Sequence, residues 1–127
     1  MHKRYLIIAA LLGAVSVALG AFAAHGLKNV ATEQVITVFE TGVKYQLYHV
    51  FALLATGILY NYFTNKNVKN AGLFFIAGIV LFSGSLYLYT LKEVMNIPSL
   101  SWVVFITPLG GVTFIIGWIL LALGIKK

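Results

Sequence analysis

Four runs of this chain carry no Asp, Glu, Lys or Arg, at about 5–24, 45–63, 71–91 and 101–125. Each is close to the ~20 residues that a helix needs to cross a ~30 Å hydrocarbon layer. A chain of 127 residues that is 61% hydrophobic and 9% charged cannot enclose that much apolar surface in one small water-soluble core. The bilayer is therefore its solvent. The expected fold is all-α, an integral membrane four-helix bundle in a single domain, residues 1–127. The first run has features of a secretory signal, a basic start at His2, Lys3 and Arg4 and the triplet Ala21-Phe22-Ala23. Its apolar stretch is longer than the ~7–15 residues of such signals, which predicts that it is retained as a span.

The connections TNKNVKN and KEVMNIPSL are short and polar, so neighbouring spans should run antiparallel. With both termini on the cytoplasmic side, Lys3, Arg4, Lys66, Lys69, Lys126 and Lys127 fall inside, while Lys28, Lys44 and Lys92 fall outside with all three glutamates. That is the positive-inside pattern. The net charge of +6 is scattered between apolar runs and forms no stripe able to follow a phosphate backbone, which argues against nucleic acid as a partner. The absence of cysteine excludes disulfides and thiolate chemistry.

Small residues recur along the spans at steps of three and four. Ala9, Gly13, Ser16, Gly20 and Ala23 do so in the first, and Gly110, Thr113, Gly117 and Gly124 in the fourth with one step missing, while Ala71, Gly78 and Ser85 are spaced by sevens in the third. Such ladders let helix backbones approach in lipid, and a period near 3.5 predicts a left-handed bundle with small crossing angles. Pro108, followed by Gly110 and Gly111, is expected to kink the fourth span.

Between the first two spans lies a segment too polar to cross and too regular to be loop. Thr32 suits an N-cap with Glu33 in the first turn. Helical spacing over 32–44 places Glu33, Thr37, Glu40 and Lys44 on one face and Val35, Val38, Phe39 and Gly42 on the other. This predicts an amphipathic interfacial helix at the outer surface, with Glu40 and Lys44 as a surface pair. Glu40 and His49 do not form a dyad on a continuous helix, because nine residues turn it through about 900°. Gln46 and His49 share the inward face with His25 at similar depth, a polar cluster that invites a functional reading inside a membrane. Two histidines are too few to argue for a metal, and no cofactor is expected.

The stretches GAFAAHGL, FETGVKYQLYH, LFSGSLY and ITPLGGVTFIIGW resemble, in order and spacing, the domain of unknown function 423 family of small bacterial membrane proteins, similar to transmembrane protein 256. The resemblance covers essentially the whole chain. It implies four spans in the plasma membrane and supplies no catalytic residues. Against the family pattern, Ala23 replaces a usual Gly, Glu40 a common Gln and Lys44 a common acid, so the resemblance requires neither an acid nor an ion pair there. The leading expectation is a non-enzymatic bundle in the lipid bilayer that self-associates or pairs with another membrane protein. The alternatives are a small transporter or channel using Gln46, His49 and His25, and a lipid-acting interfacial enzyme using the two histidines.

Overall fold

A computed structural model describes residues 1–126, and among the described residues there is no strand. The order is α1 (Lys3–Ala24), a 3₁₀ turn (Leu27–Asn29), α2 (Glu33–Leu59), α3 (Lys66–Gly78), a π turn (Ile79–Ser83), α4 (Gly84–Met95), a 3₁₀ stretch (Pro98–Phe105) and α5 (Ile106–Lys126). Among the described residues, three helical stretches are long and apolar enough to cross a membrane: Lys3–Asn29, Lys66–Met95 and Pro98–Lys126.

Local chemistry explains where the helices begin and end. Thr32 Oγ1 accepts from the Val35 N–H at 3.3 Å, and Glu33 complements the positive end of the α2 dipole. Asn65 caps α3 in the same way, accepting from Val68 N at 3.2 Å. α4 stops at Asn96, whose φ of 54° is left-handed, a conformation that asparagine tolerates better than most residues.

α2, Glu33–Leu59, is one helix unbroken at Gly42, so the segment over 32–44 leads directly into the following run, the continuous helix that separates Glu40 from His49. Neighbours make up for the poor helix propensity of that glycine. Its carbonyl accepts from Ser83 Oγ at 2.6 Å, and its bare Cα makes room for the Tyr87 ring and Leu86. α2 lies antiparallel along α1. Leu6 packs on Gly57, Val50 on Gly13 and Val43 on Gly20, and Phe39 meets Phe22 edge-on at 5.9 Å.

α5 lies antiparallel to the α3–π–α4 rod with reciprocal fitting of rings and glycines. Gly124 receives Val68, Gly117 receives Phe75 and Gly110 receives the backbone of Phe82, while Gly78 on the facing helix receives the Phe114 ring. Asn65 Nδ2 donates to Gly124 O at 3.0 Å near one end of this seam, and Ser85 and Thr107 hydroxyls pair at 2.5 Å near the other. Pro108 sits in the first turn of α5, where no intrahelical donor is required, just after the winding changes from 3₁₀ to α. Pro108, where a kink of the fourth span is expected, thus lies two residues beyond this change of winding.

Apolar clusters occupy both ends of the interior. Ala52, Val68, Ala71, Phe75 and Leu121 form one, and Ala23, Leu27 and Phe39 form the one farthest from it. Tyr5, Ala9, Val50 and Leu53 join α1 to α2. Between the two ends lies a layer of polar side chains.

Candidate functional site

The polar layer is built around the middle of α2. The helical period that buries Phe39, Gly42, Val50 and Leu53 also turns Gln46 and His49 inward, leaving them 2% and 5% exposed. Buried amides and imidazoles cost several kcal/mol in hydrocarbon unless paired, so their partners decide what the layer is.

Gln46 is fully engaged. Its Nε2 donates to Leu12 O at 3.1 Å and to Ser16 Oγ at 2.9 Å, and its Oε1 accepts from the Tyr87 hydroxyl at 2.7 Å. Ser16 in turn donates to Leu12 O at 2.8 Å. One amide thus ties α2 to both α1 and α4.

His49 is equally occupied. Its Nδ1 lies 2.7 Å from Tyr45 O, and its Nε2 accepts from the Trp118 indole N–H at 3.0 Å. Only the neutral tautomer with hydrogen on Nδ1 satisfies both contacts, because a carbonyl can only accept and an indole can only donate. The ring stacks on Phe114 at 3.5 Å and 10°, with Phe75 and Trp118 also beside it. Among the described residues no buried side-chain nitrogen or oxygen lacks a partner. Both ring nitrogens being engaged, the arrangement offers neither an open acceptor for a proton nor a free donor for a substrate.

His25 does not join this layer. It is exposed at the end of α1, where its backbone N–H donates to Ala21 O and Phe22 O. Glu40 and Lys44 are exposed on the opposite side of α2 from Gln46 and His49, and they make no salt bridge with each other. Among the described residues the ion pair that forms is Lys92–Glu93, at 3.1 Å. No group of three or more His, Cys, Asp or Glu residues able to hold a metal occurs among the described residues. Gly13, Gly20, Gly78, Gly110 and Gly117 all stand at helix–helix contacts.

Sequence reasoning placed Gln46 and His49 inward and missed most of their partners. Ser16 was visible as a member of the α1 ladder. Tyr87 and Trp118 were not, because each lies on a helix remote in sequence and its ring body is amphipathic. The one available signal is that a hydroxyl or indole N–H within an apolar span needs an acceptor.

Residues 19–111 match the model of a family described as "Protein of unknown function (DUF423)". The chain is 43% identical over 127 residues to a UPF0382 membrane protein of Haemophilus influenzae, covering 100% of this chain and 97% of the relative. It is 42% identical to a UPF0382 membrane protein of Staphylococcus saprophyticus, with 98% of each chain covered. It is 39% identical to the UPF0382 membrane protein YwdK of Bacillus subtilis, again with 98% of each covered. No solved structure matches the chain significantly.

Proposed function

Because the chain belongs to the DUF423 family and its relatives are bacterial membrane proteins, we propose that it is a closed, non-enzymatic four-span bundle of the inner membrane that associates with a second copy of itself. The observation that carries this reading is the full internal pairing of Gln46 and His49. Side chains that hold α1, α2, α4 and α5 together have no remaining donor or acceptor to pass along a solute or a proton.

α2 would be the fourth span. It has fewer apolar residues than the other three because Gln46, His49 and Thr56 face the interior while Glu33, Gln34, Thr37, Glu40 and Lys44 are exposed along its N-terminal half. In support, its residues Phe39 to Gly57 run beside the whole length of α1. Glu33 and Thr37 then extend past the end of α1 toward the outer headgroups, with both termini cytoplasmic. Since the chain has no cysteine, single introduced cysteines report topology cleanly. Cysteine at Asn96 should react with an impermeant reagent in intact cells, and cysteine at Asn67 should react only after permeabilisation. The opposite labelling overturns the orientation.

Support for self-association comes from the outer face of α1, where Ala10, Ala14 and Ala18 are exposed at four-residue spacing. A small-residue face of this kind lets a second helix approach closely. Cysteine at Ala14 should give a disulfide-linked dimer in membranes, and cysteine at the more bulky-flanked Ile119 should not. Purified protein reconstituted in liposomes should leave proton permeability at the level of empty vesicles. A proton flux that His49→Leu abolishes would establish a conduit and refute the closed bundle.

A further inference from the structure

One end of the bundle carries a cationic cavity that the polar layer does not involve. Residues at the start of α1, at the end of α2 and in the first turn of α3 border an open surface cavity of about 410 Å³, lined by Met1, His2, Lys3, Arg4, Tyr60 and Lys69. Lys3, Arg4 and Lys69 are exposed, and among the described residues none of them makes a salt bridge. The three glutamates lie elsewhere, with Glu33 and Glu40 near the start of α2 and Glu93 near the end of α4. α2 and α4 place them at the opposite end, beside the Ala23, Leu27 and Phe39 cluster.

Each wall of the cavity continues into apolar surface. One helical turn beyond Lys3 on the same face of α1 stands Ile7, 59% exposed, and one turn beyond Lys69 on α3 stands Leu73, 51% exposed. Ile58, 47% exposed, lies close to Tyr60 on α2. Cations at the rim with apolar side chains one turn deeper match an amphiphile, whose charged head and hydrocarbon tail need these two surfaces in this order. A free phosphate would use only the rim. His2 supplies the floor. Its Nδ1 accepts from Tyr5 N at 3.4 Å and its ring stacks on Tyr5 at 3.7 Å, so the imidazole is fixed in place. Burial, and after it the nearby Lys69 and Arg4 charges, push its pKa below the ordinary histidine value.

We propose that this cavity binds the phosphate headgroup of an anionic phospholipid through Lys3, Arg4 and Lys69, with the acyl chains lying over Ile7 and Leu73. The attraction is that of basic pockets at membrane surfaces for acidic lipids, in which each Lys or Arg contributes about fivefold in affinity.

The test is native mass spectrometry of the full chain in nonionic detergent, titrated with phosphatidylglycerol, with phosphatidylcholine and with inorganic phosphate. Phosphatidylglycerol should bind at least tenfold more tightly than phosphatidylcholine. Arg4→Gln and Lys69→Gln should each weaken it about fivefold, and the triple variant that adds Lys3→Gln should abolish the preference. Lys28→Gln, at the other end of the molecule, should leave it unchanged. All four sites are exposed, and an unaltered helical circular dichroism spectrum establishes that each variant is folded. Equal binding of the two lipids, survival of the preference in the triple variant, or its equal loss in Lys28→Gln would overturn the proposal. Displacement of phosphatidylglycerol by millimolar inorganic phosphate would overturn the lipid assignment in favour of a soluble phosphate.

Discussion

The α1–α2 seam and the α5–α3 seam carry a similar pattern, small residues at steps of three and four with one step missing in α5, and hold by different means. Along α1 the glycines are loosely fitted. A Cβ on Gly13 would stand 3.6 Å from Val50 and one on Gly20 would stand 3.8 Å from Val43, both ordinary contacts. That seam is fastened by hydrogen bonds from Gln46 to Leu12 and Ser16. Along α5 the fit is steric. A Cβ on Gly110 would stand 2.3 Å from the Phe82 nitrogen, and one on Gly117 would stand 2.8 Å from the buried Phe75 ring. Similar spacing therefore marks two functions of glycine in lipid, a spacer beside a polar clasp and a hole filled by a ring or a backbone.

The sharpest break of this contrast is Gly110→Ala. The methyl group would meet backbone atoms that no rotamer change can move, so overpacking should cost roughly 3 kcal/mol or more. Heat denaturation in mild detergent would measure it, and a variant as stable as the parent would show that α5 can slide away from the π turn.

Next comes the clasp. Gln46→Leu leaves the Tyr87 hydroxyl without its acceptor and removes two bonds to α1, for an expected loss of about 1–2 kcal/mol. A double-mutant cycle with Ser16→Ala should show coupling between the two positions. Additive losses would mean that the amide and the hydroxyl act independently.

A smaller effect of opposite sign is expected for Gly13→Ala. The added methyl fits beside Val50, and alanine is better than glycine in a helix interior by about 1 kcal/mol. Stability should stay level or rise slightly; a loss comparable to that of Gly110→Ala would erase the distinction between the seams.

The smallest effect concerns His2, which caps α1 through an unprotonated Nδ1. With its pKa lowered in the folded chain, the unfolded chain binds the proton first as pH falls. The His2 contribution should be fully present well above the ordinary histidine value of about 6.5 and be lost as pH falls through that value toward the lowered one. His2→Asn, which keeps a side-chain acceptor, should flatten this dependence in a pH series of melting temperatures. An unchanged slope would assign the dependence to another group.

The two seams also separate what was legible from what was not. The inward faces of Gln46 and His49, the N-cap at Thr32 and the small-residue ladders follow from helical period and capping chemistry, which act within a few residues. The Glu40–Lys44 pair followed from the same local rules, and among the described residues the two side chains form no salt bridge. Gly42 stays helical because Ser83 and Tyr87 from α4 and its preceding π turn support it. The proline falls into a first turn that needs no donor, and the two charged side chains project without meeting.

The amino-acid sequence by itself determined that this chain is a multi-pass helical membrane protein, because apolar runs of membrane length without charges have no other stable solution. It also determined which side of each helix turns inward, since that is set by a period of 3.6 residues. Only the tertiary structure decided that Gln46 meets Tyr87 and Ser16, that His49 meets Trp118, and that Gly110 abuts the Phe82 backbone while Gly13 has ordinary room beside Val50. Those outcomes depend on the register and rotation of helices far apart in the chain, and a local pattern of small residues present in both seams carries no record of its neighbour.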